Sequence, residues 1–513
     1  MAMGIATVAH AATIYDICDK NYLKKALAGV STPPGITISP DLVTANVVFN
    51  ETIDSYFFPD SVVKFCNTTV AYSHAGRDDQ VLLQILLPAP NEFQGRWLST
   101  GGGGYSIYSG MWTLPGGIVY GAASGSTDGG FGSFDTNADT AMLLGNGSVD
   151  YETLYMFAYK AQWEMSQIGK PFTKNVYNMT DDDRLYSYYA SCSEGGREGW
   201  SQLQRFGDEW DGAAVGAPAF RWSFQQTQHL FSNIVEKTLD YYPPPCELDK
   251  IVNLTITACD PLDGKVDGVI ARSDLCLLQF DIQSTVGQSY YCAAEGSSTP
   301  AQNGTVSAEG AELVQQIIAG LKDSDGHQVY LSYQPGAALD DAETAWNEDE
   351  GNLDGVTYDT LRDWMISGLH EYDSTLQTTW PDLSPFQKAG GKIIHYHGEA
   401  DYSVPTASSV RYWESVRSIM YPRQDYNSSA EALNEWYRLF LIPGAGHCAP
   451  NDAMPNGPFP DTSLGSLIEW VENDVFPTTL NATVLQGEHE GENQQLCAWP
   501  LRPLWIDDVM ECV

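Results

Sequence analysis

The stretch "YYASCSEGGREGW" at residues 188–200 places Ser193 between a β-prone aromatic run and a pair of glycines that open a short helical segment. The run "RLYSYYASC" reads as a strand, the serine sits at a sharp turn, and "REGWSQLQRFGDEWDGAAVGAPAF" continues as a helix, a Gly-Asp turn and a strand of small residues ending near Ala217. Strand, turn, helix and strand make a βαβ unit, which implies a parallel sheet and an α/β fold. A serine at such a turn stands at the C-terminal edge of the sheet, the usual place for a reacting side chain. The turn departs from Gly-x-Ser-x-Gly in having Ser191 in place of the first glycine, with Cys192 next to the serine.

Two more strand-like runs end in loops with an ionisable residue: "GKIIHYHGEADYSVP" carries Asp401 and "YRLFLIPGAGHCAP" carries His447. Upstream, residues 79–104 read as an apolar strand, a Pro/Asn turn, a second strand through Trp97 and Leu98, and four consecutive glycines. From Phe220 to about Leu383 the character changes to helical pieces separated by Cys-, Pro- and Ser-rich loops. The expected organisation is an α/β-hydrolase core from residues 1–219 and 384–513, interrupted by an inserted lid domain at 220–383 over the C-terminal edge of the sheet.

A serine hydroxyl becomes a useful nucleophile when an imidazole takes its proton and a carboxylate orients that imidazole. In α/β-hydrolases these groups follow one another as Ser, Asp, His at strand ends, the order and context of Ser193, Asp401 and His447. Singly, each has an ordinary reading as a turn serine, a loop aspartate or a satisfied loop histidine; order and context together select the triad. His395 and His397 lie inside a predicted strand, and the remaining histidines lack strand-end context. The oxyanion of acyl transfer needs backbone N–H donors, expected from Glu194 and from Gly102 and Gly103 of the glycine loop, whose other reading is a flexible turn. That loop lacks the third glycine of a dinucleotide fingerprint. No P-loop or H-E-x-x-H zinc motif occurs either.

With 66 acidic and 26 basic side chains among 513 residues, the formal charge is −40, the wrong sign for nucleic acid or an anionic membrane. No run approaches the roughly 18–20 apolar residues of a membrane span. Eight Asn-x-Ser/Thr sites, at Asn50, Asn67, Asn146, Asn178, Asn253, Asn303, Asn427 and Asn481, and ten cysteines without a C-x-x-C pair point to a secreted, N-glycosylated protein with five disulfides. The start, "MAMGIATVAHAA", reads as a trimmed or replaced secretion signal. Cys192 precedes the candidate nucleophile and Cys448 follows the candidate base, so a bridge between them would tie the two loops together.

The set Cys192-Ser193, Asp401 and His447-Cys448 resembles the Cys-Ser, Asp, His-Cys arrangement of the fungal tannase and feruloyl esterase family. "TLDYYPPPCELDKIVN" and "ACDPLDGKVDGV" are similar to its tannase members in particular, and the similarity runs over nearly the whole chain. The resemblance implies a Cys192–Cys448 disulfide and a secreted serine esterase acting on polyphenolic substrates. Its substrates would be the galloyl ester and depside bonds of tannins, with release of gallic acid. A feruloyl esterase acting on hydroxycinnamate esters is the alternative, and a non-catalytic glycoprotein on an esterase scaffold a remote one. It departs from the family in the lid, where "CAAEGSSTPAQNG" is short and has no dibasic processing site.

Asp260, Asp263 and Asp267, spaced by three and four, could wrap a hard cation or form an acidic Asp-Gly turn. The resemblance assigns them structural calcium, with the carbonyls of Lys265 and Val269, and pairs Cys259 with Cys276. Cys18–Cys66 and Cys497–Cys512 are plausible from proximity in the chain, leaving Cys246 with Cys292. Tyr241 and Tyr242 are candidates for a pocket binding a flat hydroxylated ring, or simply for packing within the lid.

Overall fold

The computed structural model describes residues 12–294, 300–339, 353–507 and 509–513. Residues 1–11, which carry the expected leader, and 295–299 of the short lid segment lie outside the described residues. The chain forms two compact units, Met1–Tyr189 and Ala190–Val513. The division falls within a strand, Tyr186–Cys192.

The first unit is built on strands β1 (Ile36–Ile38), β2 (Asn46–Ile53), β3 (Ser61–His74), β4 (Val81–Pro88), β5 (Arg96–Ser99), β6 (Ala122–Thr127) and β7 (Tyr186–Cys192). The order is β1-β3-β4-β6-β5-β7, with β2 beside β3. Antiparallel pairs give way to parallel ones at β6/β5 and β5/β7, where Leu98 stands opposite Ser124 and Tyr188. Glycines let the Trp97 ring seat here. A Cβ on Gly125 would stand 2.6 Å from the ring, and one on Gly169 of the helix Ala161–Val176 would stand 2.0 Å from it. The Cys18–Cys66 disulfide closes within this unit.

In the second unit β8 (Gly212–Gly216), β9 (Lys392–Gly398) and β10 (Tyr437–Ile442) run parallel, with Ile394 opposite Ala214 and His395 opposite Leu439. These strands are buried almost throughout, as parallel strands flanked by helices must be. Between β8 and β9 lies the insertion, with helices Trp222–Gln228, Phe231–Leu239, Pro245–Cys259, Ala308–Ala319 and Tyr358–Tyr372. They enclose a hydrophobic cluster that includes Ile234, Leu248, Ile251, Leu313 and Leu361. Ser307 caps one helix by accepting from the Gly310 N–H at 2.9 Å, and Thr357 caps another. Cys246–Cys292 and Cys259–Cys276 staple its loops, and Cys497–Cys512 closes the C-terminal hairpin region. Among the described residues, no helix is long and apolar enough to cross a membrane.

Beside β9 the buried Glu399 carboxylate accepts from Arg502 Nη2 at 2.6 and 2.7 Å and from the Ser273 hydroxyl. Removing one partner of a buried ion pair strands the other charge, a loss of about 3–5 kcal/mol. Arg502→Met should lower stability in urea denaturation by that amount. Arg502→Met combined with Glu399→Leu should recover most of it.

Candidate active site

β7 ends at Cys192, Ser193 follows it at the turn, and the helix Glu194–Arg205 leaves directly behind it. Ser193 has φ 63° and ψ −125°, a conformation that costs a non-glycine residue about 1–3 kcal/mol and is typical of a reacting residue held in place. Its N–H bonds the Gly216 carbonyl at 3.0 Å, and its carbonyl accepts from the Arg197 N–H at 3.0 Å. Ser191 is buried, and its φ is not positive. The freedom of glycine is therefore not required there, and a small side chain suffices. The close approach occurs at Gly196, where a Cβ would stand 2.4 Å from the Gly216 carbonyl oxygen.

The loops after β9 and β10 bring the other two groups to the serine. His447 Nε2 lies 2.8 Å from Ser193 Oγ, and His447 Nδ1 lies 2.8 Å from Asp401 Oδ2. Asp401 is fully buried, and its Oδ1 accepts the N–H groups of Ser403 and Val404 at 2.8 Å each. Burial pushes the Asp401 carboxyl up. The neighbouring His447, together with hydrogen bonds from His397 and His447, outweighs that and holds it well below the usual carboxylate range. Burial pulls His447 down, but the Asp401 charge and hydrogen bond win and raise it. The arrangement can move a proton from the Ser193 hydroxyl to the imidazole and stabilise the resulting charge.

Cys192 and Cys448 form a disulfide between the serine and histidine loops. The bridge packs over Gly216, where a Cβ would stand 2.7 Å from Cys192 Sγ. Gly398 performs a similar service at the end of β9. A Cβ there would stand 2.4 Å from the carbonyl oxygens of both Ala445 and Gly446, so the aspartate and histidine loops touch backbone to backbone. The Ala400 N–H donates to the Ala445 carbonyl at 2.9 Å in the same contact.

The sequence matches the family model "Tannase and feruloyl esterase" over residues 66–355 and 344–513. The chain belongs to the tannase and feruloyl esterase family. It is a carboxylic ester hydrolase with an α/β-hydrolase fold. It is 46% identical to a tannase of Aspergillus oryzae over 98% of this chain and 93% of that one. The solved tannin acyl hydrolase from Aspergillus niger is 66% identical, with a TM-score of 0.95 over 98% of this chain and 96% of that one. Feruloyl esterase B from Aspergillus oryzae is 25% identical, with a TM-score of 0.73 over 96% of this chain and 100% of that one.

Other expected site residues of this family member fare unevenly. Glu194 opens its helix, so its N–H has no carbonyl partner within the helix. Its buried side chain turns away to pair with Arg197 Nε at 2.8 Å. Gly103 is not available as an oxyanion donor: its N–H is spent on the Ser106 carbonyl at 3.0 Å. Gly102 is a steric glycine, since a Cβ there would overlap the Ser106 carbonyl. Tyr241 follows the second of its two readings, packing within the lid segment. Its hydroxyl donates to Glu247 Oε2 at 2.7 Å and accepts from the Ser307 hydroxyl at 2.8 Å, inside the insertion. Tyr242 is 62% exposed.

Asp260, Asp263 and Asp267 come together with Lys265 as the cation among them, its Nζ 3.0 Å from Asp267 Oδ2. Asp260 Oδ1 accepts the Asp267 N–H at 3.0 Å. Burial, reinforced by Asp267 and Asp260, pushes Asp263 up to about 6. Buried oxygen donors with excess negative charge fit a hard cation in chemistry. Their oxygens are not gathered closely, however. Among the described residues, the trio with ligand atoms all within 4.8 Å of one another is Asp323, Asp325 and His327, on a largely exposed turn. Two further residues stand near the triad. His397 bonds Asp401, and Tyr402, next to it in the chain, lies against the histidine loop near Gly446.

Gly398→Ala should push the histidine loop away by several tenths of an ångström. Small displacements of reacting groups can cost up to about 100-fold in rate. Ester turnover should fall about 10-fold or more while circular dichroism remains that of the parent.

Proposed function

We propose that this protein is a secreted esterase that cleaves galloyl ester and depside bonds of tannins and releases gallic acid. The observation that carries this reading is the Ser193–His447–Asp401 chain at 2.8 Å per step, clamped by Cys192–Cys448. The 66% identity to a tannin acyl hydrolase supports the galloyl specificity.

In this mechanism Ser193 Oγ attacks the ester carbonyl as His447 Nε2 takes its proton. The Glu194 N–H, at the positive end of its helix, stabilises the oxyanion. His447 then returns the proton to the leaving alcohol or phenol, and the acyl group stays on Ser193. Water, deprotonated by His447, attacks the acyl-enzyme and frees the acid. Asp401 keeps His447 Nδ1 protonated throughout and stabilises the imidazolium. The segment 220–383 serves as the lid over this site. Six of the eight sequon asparagines are exposed, in keeping with glycosylation on secretion.

Structural calcium belongs to the same reading. It would be held by Asp260, Asp263 and Asp267 with the carbonyls of Lys265 and Val269, and would supply the charge that the lone Lys265 ammonium leaves unbalanced. Chelation should lower the thermal midpoint, and calcium but not sodium should restore it. Asp267→Asn should reduce that calcium response without touching the triad.

Esterase assays decide the acyl specificity. Methyl gallate should be hydrolysed with a kcat/KM well above that for methyl ferulate, and Ser193→Ala should abolish both activities in a folded protein. Preference for methyl ferulate would instead favour a feruloyl esterase, which the likeness to feruloyl esterase B keeps as the second reading. Full activity of Ser193→Ala would overturn the serine mechanism.

A further inference from the structure

Asp401 Oδ2 faces two imidazoles, and the triad uses one of them. The second is His397 on β9, whose Nε2 stands 3.0 Å from Asp401 Oδ2 and 3.0 Å from the Val404 carbonyl oxygen. Its Nδ1 lies 2.6 Å from Ser409 Oγ. Ser409 Oγ lies 2.9 Å from His395 Nε2, and His395 Nδ1 lies 2.8 Å from the Tyr437 hydroxyl. His395, His397, Asp401, Ser409 and Tyr437 are all fully buried.

The positions of the protons follow from what each atom can do. A carbonyl oxygen only accepts, so His397 Nε2 must carry a hydrogen, and in the neutral ring Nδ1 is then an acceptor. The Ser409 hydroxyl therefore donates to His397 Nδ1, which leaves its oxygen to accept from His395 Nε2–H. His395 Nδ1 in turn accepts from the Tyr437 hydroxyl. With both rings in their neutral form, every donor meets an acceptor. Burial, with His397 adding to it, pushes His395 well below its ordinary value, and burial raises Tyr437 so that it keeps its proton. The other tautomer of His397 would turn a lone pair toward a carboxylate and a carbonyl at once, a costly arrangement without water.

We propose that His397 is a positioning residue for the triad: it fixes Asp401 Oδ2 toward His447 and moderates the bond offered there, with its own tautomer locked by Ser409, His395 and Tyr437. This rests on the reading of Ser193, Asp401 and His447 as the catalytic triad. Without His397, Asp401 keeps its two backbone donors on Oδ1 while Oδ2 is left to His447 alone. The carboxylate then turns more freely, and it also holds the His447 imidazolium more tightly. The base stays protonated to higher pH. Other titratable groups near this region are Tyr402 against the histidine loop, His229, whose Nε2 lies 3.1 Å from the Ser403 carbonyl, and the Glu399–Arg502 pair just past the end of β9. They are the same in every variant below.

The test is the pH profile of kcat/KM on methyl gallate for the full chain and for His397→Leu, His397→Gln and Ser409→Ala. His397→Leu should lower kcat about 10- to 100-fold with KM little changed. Its acid limb should move up by about half to one pH unit, through the stronger pull of Asp401 on the imidazolium. Glutamine can donate and accept at nearly the same points as the imidazole, so His397→Gln should return the limb to that of the parent. Ser409→Ala touches neither Asp401 nor His447, yet it should move the limb the same way; it gives the answer even if the leucine variant does not fold. An unmoved limb in Ser409→Ala, and in His397→Leu where it folds, overturns the inference. So does a glutamine variant as impaired as the leucine one. Ser193→Ala run alongside separates the two readings: an inactive Ser193→Ala with an unmoved limb defeats only the role of His397, whereas an active one defeats the triad itself.

Discussion

A fully buried carboxylate that remains charged is the constraint on which the second unit depends. Removing a carboxylate from water costs several kcal/mol even after relaxation. Asp401 meets that cost with four N–H donors, two from the backbone of its own loop and two from imidazoles. Hydrogen bonds to a charged group contribute about 1.5–3 kcal/mol each, so four are of the size needed to keep the group ionised at the bottom of a closed loop. The Ser403 and Val404 bonds fold the loop into a tight turn around Oδ1. The direction of Oδ2, and with it the orientation of His447, is then largely decided.

The backbone has to let three loops meet at that point. Gly216, Gly398 and Gly196 stand where any side chain would collide with a disulfide, a neighbouring loop or a crossing strand. None of the three owes its place to a positive φ; each is a matter of space. Ser193 presents the opposite case: it has space but a strained backbone. The stiff helix behind it, and the two carbonyl contacts through Gly216 and Arg197, hold that strain in place.

Much of this was legible in the sequence because it depends on local pattern. The β7–turn–helix unit, the Ser, Asp, His order and the helical character of residues 220–383 follow from periodicity and strand-end context. What could not be read depended on which atoms are already engaged. Gly103 looks like a free donor in a glycine run, but its N–H is consumed by Ser106, three residues on. Tyr241 reads equally as a ring-binding aromatic or as lid packing, and its hydroxyl, held by Glu247 and Ser307, favours the packing. His397 was visible and discounted because it lies inside a strand; a strand places alternate side chains on opposite faces, and register with Asp401 decides what such a residue meets.

The cysteine beside the serine now has a physical reason. A serine held at φ 63° gains reactivity only if its partner imidazole stays within hydrogen-bonding reach, and His447 is on a loop 254 residues away in sequence. A covalent bond from the residue before Ser193 to the residue after His447 shortens that long connection to a few bonds. Cys448, like Ser193, has a positive φ, 57°, so the bridge joins two unusual backbone turns and leaves neither free to relax alone. The bridge constrains separation, whereas Asp401 constrains orientation, and neither can substitute for the other: a tethered imidazole can still rotate, and an oriented one can still drift.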